Sequence, residues 1–247
     1  MNFSGISNGS AIGALLRFPL RLLPTSTVMP ILQGKLRGYR WITGSSNHGC
    51  WLGSYEFEKQ NYVSNLVKPG SVIFDIGAHV GFYTLLFSVL AGDSGQVIAF
   101  EPFPANAKYL KQHIQMNKLN NVRMYEAAVA EKAGTADFET GISSSMGHIT
   151  DQISPSTFQV KLVNIDELVN SGEVPPPDYI KLDIEGAELR ALQGATETLK
   201  KHHPSIFLAT HGHDIHKMCC NLLQELGYEL LPISGSDITQ TDELFAR

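Results

Sequence analysis

The sequence predicts an α/β protein built on a doubly wound, mostly parallel sheet. Three observations carry that expectation. From residue 72 onward, short runs rich in β-branched and aromatic residues alternate with helical segments. Those runs are apolar throughout rather than every second residue, as expected of strands covered on both faces. The first junction, "VIFDIGAHVGFYT", then places an Asp and two glycines where a strand hands over to a helix. Sheets of this kind bind ligands beyond the carboxyl ends of their strands, at the switch point.

The elements follow in order. "SVIFDI", bounded by Pro69-Gly70 and Gly77, reads as a buried parallel strand. "VGFYTLLFSVLAG" reads as a buried helix ending at Gly92. "GQVIAFE" is a second strand, and "PANAKYLKQHIQMNK" an amphipathic helix with Pro104 suited to its first turn. "NVRMYEAAV" reads as a single third strand. Residues 131–165 are rich in Thr, Ser and Gly and read as a hairpin or small insertion, including "TADFET" and "QVKLVNI". "DYIKLDI" is the fourth parallel strand. "EGAELRALQGATETLKKH" reads as one helix with an apolar stripe of Leu189, Leu192 and Leu199. "SIFLATH" is a strand, "IHKMCCNLLQEL" a helix stopped by Gly227, and "YELLPI" and "DELFAR" the final strands.

Composition sets the bounds. The 247 residues are 43% apolar and 17% charged, which suits one α/β domain that needs no disulfide or metal to fold. The net charge is −5 and no basic stripe is present, which argues against nucleic acid as the main partner. The three cysteines, Cys50, Cys219 and Cys220, are odd in number and two are adjacent. They suggest no disulfide framework and point to a reducing cytoplasm.

Residues 1–66 read as an N-terminal extension, and 67–247 as the ligand-binding domain. The apolar stretch "AIGALLRFPLRLLPTSTVMPIL" is interrupted by Arg17 and Arg21 and broken by Pro19, Pro24 and Pro30. It does not approach the ~20 apolar residues of a membrane span. It also lacks the basic start and clean apolar run of a secretory signal. The extension is expected to pack over the domain, as an arm or a lid, rather than contact a membrane.

The junction chemistry points to a ligand. Asp75 ends the first strand, Gly77 permits a tight turn, and Gly81 is expected to let the helix approach the strand closely. Loop N–H groups at the helix N-terminus are expected to face the ligand. The spacing is D-x-G-x-x-x-G, not the G-x-G-x-x-G that seats a pyrophosphate. A carboxylate there repels a diphosphate but can receive an ammonium group. Glu101 ends the second strand, where an acid typically accepts both hydroxyls of a ribose. One end of the ligand thus looks like an amino acid and the other like a nucleoside, and S-adenosylmethionine has both.

Three segments, "VIFDIGAHVGFYT", "IAFEPFPANAKYLKQHI" and "DYIKLDIEGAELRALQGA", together resemble FkbM-type S-adenosylmethionine-dependent methyltransferases, and "CWLGSYE" is similar to that family's lead-in. The third segment, with its K-x-D-x-E-G-x-E pattern, is the most specific. The resemblance implies a Rossmann-like class I methyltransferase sheet of seven strands, the last antiparallel, within residues 67–247. It implies O-methylation of a hydroxyl on a small molecule or glycan. By position, Asp75, Gly77, Ala78, His79, Gly81 and Thr84 would line the methionine side of the cofactor. Glu101 would hold the ribose, with Pro102 and Asn106 nearby, and Ala128 and Val129 would flank the adenine. Tyr55 and Glu56 would close over the cofactor from the extension.

Asp183 ends the fourth strand, with Glu185 two residues on and Glu188 in the first helical turn. Glu188 is expected to serve as a cap, since the helix dipole favours acids there. Asp183 has three candidate jobs: orienting the cofactor's amino acid, accepting the hydroxyl proton, or binding a divalent cation. The carboxylates suit Mg²⁺ or Mn²⁺ with waters. No third ligand is assignable, and no metal site is predicted. His211, at the end of the fifth strand, is the candidate base, because its ordinary pKa suits proton removal near neutrality. Asp183, His211 and Glu185 are thus the candidate catalytic set. His213 and His216 read as surface residues, and His79 as a cofactor neighbour rather than a proton carrier. "GISSSMGHIT", residues 141–150, could cover the acceptor. Two alternatives stand beside this reading: an NAD(P)-dependent oxidoreductase, disfavoured by the glycine spacing, and a non-catalytic cofactor-binding relative.

Overall fold

A computed structural model describes residues 23–139, 148–149, 157–235 and 237–247. The expected 141–150 loop lies outside the described residues, apart from the backbone of 148–149.

The extension opens with a short antiparallel pair, β1 (Val28–Pro30) and β2 (Arg40–Ile42), and two helices, α1 (His48–Leu52) and α2 (Phe57–Leu66). Then come β3 (Val72–Ile76), α3 (Phe82–Ala91), β4 (Gln96–Phe100), α4 (Pro104–Met116) and β5 (Val122–Tyr125). A side layer holds β6 (Ala128–Val129), β7 (Gly134–Glu139), β8 (His148–Ile149) and β9 (Thr157–Val163). The chain continues through α5 (Ile165–Asn170), β10 (Tyr179–Leu182), α6 (Glu188–Gln193), α7 (Thr196–His202), β11 (Ser205–Ala209), α8 (His213–Glu225), β12 (Leu230–Pro232) and β13 (Glu243–Ala246).

The main sheet has seven strands in the order β12-β13-β11-β10-β3-β4-β5. The five central and outer strands from β11 to β5 run parallel, and β13 is antiparallel to both of its neighbours. Seven strands with the last in the chain antiparallel is the sheet expected from the resemblance above. The chain order reverses between β3 and β10, and that switch point fixes where a ligand can enter.

Alternate side chains serve opposite faces of the sheet. Phe74, Ile76, Ile180 and Leu182 pack with α6, α7 and α8, whereas Ile73, Val97 and Tyr179 pack with α3. The second core also contains Ile31, Leu36, Trp41, Cys50 and Trp51 from the extension.

Two predicted elements differ. "NVRMYEAAV" is not one strand, because β5 pairs with β4 while β6 pairs in parallel with β9 in the four-stranded sheet β6-β9-β7-β8. Glu101 N–H donates to Tyr125 O at 3.0 Å. The next residue is Pro102, which has no N–H to continue the ladder, so the chain peels away. The expected hairpin in 131–165 is present as β7 and β9. The single helix read across "EGAELRALQGATETLKKH" is instead α6 and α7. A Cβ on Gly194 would sit 2.2 Å from Ala130 O, and Gly194 O accepts from Asp166 N–H at 2.9 Å. Asp166 also caps the second piece, accepting from the N–H groups of Glu197 and Thr198 at 2.9 and 2.7 Å. Leu192 and Leu199 are buried as expected, but Leu189 is only partly so.

Candidate active site

A cavity of about 390 Å³ opens at the carboxyl ends of β3, β4, β10 and β11. That volume suits a cofactor-sized ligand.

The turn after β3 is fixed by close packing. Gly77 has φ +80, and a Cβ there would meet Asp183 O at 1.9 Å. Gly81 also has positive φ, but its Cβ would meet Leu110 of α4 at 2.5 Å, so the close approach is to the neighbouring helix rather than to its own strand. The loop amides are not presented to a ligand as expected. Gly77 and Ala78 N–H both donate to Phe100 O, His79 N–H donates to Glu101 Oε2, and Gly81 N–H donates to Ala78 O. These spent donors leave a poor cradle for a diphosphate.

At one end, Glu101 is buried and accepts from His79 N–H, Phe103 N–H and the Asn106 amide at 2.8, 3.0 and 3.3 Å. Burial pushes its carboxyl up to about 7, against the opposing effect of those donors. A carboxylate offers about four acceptor positions, so beside these three donors about one remains for a ligand hydroxyl, and a second hydroxyl must share an oxygen. Pro102, Phe103, Ala128, Val129 and Phe138 wall this end. Phe103, Phe138 and Phe158 cluster with centroids 5.5 to 6.5 Å apart, Phe103 stacked on Phe138 and Phe158 tilted against both, holding the side layer against the loop after β4.

The other end is charged. Lys59 Nζ from α2 lies 2.6 Å from Glu243 Oε1, 3.6 Å from Glu56 and 4.0 Å from Asp183. Lys181 Nζ lies 3.5 Å from Asp75 and 3.7 Å from Asp183, and donates to Gly77 O at 3.0 Å. Burial opposes the Asp183 charge, but Lys181, Lys59 and His211 outweigh it and hold that carboxyl below its usual range. Both ammonium groups lie over the Tyr83 ring, 5.6 and 5.7 Å from its centroid, and its hydroxyl donates to Glu56 at 2.8 Å. Tyr55 packs edge-on to Phe82 and lines the same wall.

His211 sits at the mouth. Its Nδ1 is 2.7 Å from Glu188 Oε1, and its Nε2 is 3.8 Å from Asp183 and 3.7 Å from Glu185. The hydrogen bond to Glu188 raises the imidazole pKa above its ordinary value, outweighing burial. With Nδ1–H donating to Glu188, the Nε2 lone pair faces the cavity. Glu188 is fully buried and also accepts from Gly186 N–H at 3.1 Å. It is thus not a simple helix cap: it holds both the turn and the imidazole. Among the described residues five non-glycine residues have left-handed φ, and three of them, Glu56, His79 and Glu185, line this cavity. Such strain concentrates at functional sites.

Tyr55, Glu56, Gly77, Ala78, His79, Glu101, Pro102, Asn106, Ala128, Val129, Asp183, Glu185 and His211 all line the cavity. Asp75 and Thr84 do not. Asp75 has no exposed surface; its Oδ2 accepts from the Thr84 hydroxyl at 2.6 Å and its Oδ1 faces Lys181. With no exposed surface, Asp75 does not reach the cavity, against the expected direct receipt of a ligand ammonium. Gly81 is also absent from the lining. His216 is not a surface residue: its Nε2 bonds Ile238 O at 2.8 Å and its Nδ1 bonds the Thr210 hydroxyl at 2.9 Å. His213 is exposed. Sequence reasoning missed Lys59, Lys181 and Glu243. Only Lys181 left a signal, as the Lys of K-x-D-x-E-G-x-E.

The sequence profile of the methyltransferase FkbM domain matches residues 75–230. The chain belongs to the FkbM methyltransferase family. Among its relatives is the hexuronic acid methyltransferase AglP of Haloferax volcanii, 32% identical over 134 residues, covering 54% of this chain and 53% of that protein. Another is the 2-O-methyltransferase NoeI of Sinorhizobium fredii, 28% identical over 156 residues, covering 56% and 63% respectively. The chain thus spans between half and two thirds of the length of these curated relatives. A crystal structure of methyltransferase FkbM from Methylobacillus flagellatus superposes with TM-score 0.52 at 16% identity, over 81% of this chain and 52% of that one, which shows the shared fold. Among the described residues no helix is long and apolar enough to cross a membrane, and no group of three or more His, Cys, Asp or Glu side chains could hold a metal ion.

Proposed function

We propose that this FkbM-family chain is an S-adenosylmethionine-dependent O-methyltransferase acting on a hydroxyl of a sugar, glycan or small molecule. The observation that carries it is the two-ended cavity: a spare-capacity carboxylate, Glu101, beside an apolar slot, opposite an acid-rich end with a histidine facing inward. The consumed loop amides disfavour a dinucleotide. The names of the two relatives, one for a hexuronic acid and one for a 2-O position, support a sugar hydroxyl.

The residues fit the cofactor. Glu101 would take the ribose hydroxyls, with Ala128, Val129 and Phe138 against the adenine. Asp183 and Glu56 would take the ammonium, and Lys59 or Lys181 the carboxylate. Asp75 and Thr84 act one layer back, by holding Lys181. When bound, the cofactor supplies an electrophilic methyl on a sulfonium. The chain's own task is then to align the acceptor oxygen and take its proton. An aliphatic alcohol stays protonated at pH 7, so a base contributes to the rate. His211 Nε2 accepts that proton, and Glu188 Oε1 stabilises the resulting imidazolium. Cytoplasmic residence belongs to the same proposal, supported by three buried free cysteines.

The test is calorimetric titration of the full chain with S-adenosylhomocysteine and, separately, NAD, followed by methyl-labelled transfer to sugars. Binding of NAD in preference to S-adenosylhomocysteine rejects the proposal.

A further inference from the structure

The charge around the cavity is lopsided. Among the described residues six carboxylates line it, from Glu56, Glu101, Asp183, Glu185, Asp242 and Glu243, against two lysines and no arginine. Both lysines are already engaged, Lys59 by Glu243 at 2.6 Å and Lys181 by the Asp75 and Asp183 carboxylates and Gly77 O. The side chains of Asp183, Glu185, Glu243 and Glu56 retain 28 to 33% exposure, so they face whatever enters beside His211.

We infer that the acceptor end selects a neutral or amino-bearing sugar and rejects one carrying a carboxylate. This rests on the methyltransferase reading above. A bound hexuronate needs a free guanidinium or ammonium to pair its carboxylate. Among the described residues this cavity holds no arginine, and the cofactor's carboxylate, as assigned above, already claims one of its two ion-paired lysines. A carboxylate brought to this cavity, where six carboxylates outnumber two lysines among the described residues, meets net negative charge, which costs affinity and excludes wrong partners. Sugar hydroxyls, in contrast, are donors, and carboxylates that only accept are good partners for them. A protonated sugar amine gains a charge-assisted bond at the same oxygens. The acceptor class therefore differs from the hexuronic acid in the name of the Haloferax volcanii relative.

The test uses the purified full chain, methyl-labelled S-adenosylmethionine and an equimolar pool of methyl glycosides. The pool combines neutral hexoses and deoxyhexoses, amino sugars, and glucuronic and galacturonic acids. Labelled products are separated by charge at neutral pH. The expected result is at least about tenfold more label in the neutral and amino-sugar products than in the hexuronates. Equal or greater label in the hexuronates overturns the inference while leaving methyl transfer intact. No label in any sugar, with S-adenosylhomocysteine still bound, overturns the sugar-methyltransferase reading and this inference with it.

Discussion

At Asp75 the chain buries a carboxylate completely, and the sheet register explains how. Lys181 is its partner residue across the parallel β3–β10 pair, so opposite charges share one face, and Thr84 closes the pair from α3. Burial pushes the Asp75 carboxyl up, and Lys181 and Thr84 only partly offset it. Replacing it should therefore act on stability first. Asp75→Asn should lower unfolding free energy by about 2 kcal/mol, read from urea midpoints, since a buried charged partner is lost. An unchanged midpoint contradicts the buried pairing. Glu101, raised to about 7, leads to a linked prediction. Ribose hydroxyls donate to the ionised form, so binding should release a proton. S-adenosylhomocysteine affinity should then rise with pH up to about 7, by at most about tenfold per unit, and level off above it. Calorimetry in buffers of different ionisation enthalpy reads the proton directly. For His211, the base must be neutral, so rate should rise with pH through a value above the ordinary imidazole range. Glu188→Gln removes the main raising influence, and that limb should move to lower pH. A limb that stays in place excludes His211 as the titrating group.

At the scale of an element, α4 shows how local chemistry and tertiary contact divide the work. Pro104 starts it and Asn117 ends it, after which Lys118 adopts φ +54 on the surface. A helix commonly places Gly at such a left-handed terminal position. Lys118→Gly should raise stability by about 1 kcal/mol without changing cofactor affinity, as thermal melts and titration can show. The helix's inner face is set from elsewhere. His113 stacks on Trp41 at 3.9 Å, its Nε2 accepts from Ile42 N–H at 3.1 Å, and its Nδ1–H donates to Val80 O at 2.7 Å. One imidazole thus ties the extension, α4 and the glycine turn together, in a single tautomer.

Across the whole molecule, that tie makes acid the weak point. Burial holds both His113 and His79 down to about 4. Their folded values lie below the ordinary 6.5, so the unfolded chain binds more protons between those limits. Stability should be full above pH 6.5 and fall as the pH drops toward 4, by about 3 kcal/mol for His113 alone. Urea midpoints measured across this range test it, and His113→Gln should flatten the slope. The extension also supplies Tyr55, Glu56 and Lys59 to the cavity and Trp41 and Trp51 to the core. We propose that residues 23–66 function as part of the catalytic unit rather than as a separable lid. Removing them should abolish S-adenosylhomocysteine binding in calorimetry, and retained binding rejects that view.

Local chemistry alone determined the alternation of strands and helices, the acid and glycines at the β3 turn, the acid ending β4 and the K-x-D-x-E-G-x-E cluster. Each of these is written in residues adjacent along the chain. The tertiary structure decided which way the groups point. Asp75 is sealed from the cavity, held by Thr84 and by Lys181, which lies beside it in the sheet 106 positions later in the chain. Lys59 and Glu243 meet only because an N-terminal helix and the last strand close over one opening. The long apolar pattern of α6 and α7 breaks at Gly194, where Ala130 O leaves no room for a Cβ and Asp166 bonds Gly194 O and caps the second piece. Contacts between distant residues carry no periodicity, and a charge's role depends on the partner that burial assigns to it.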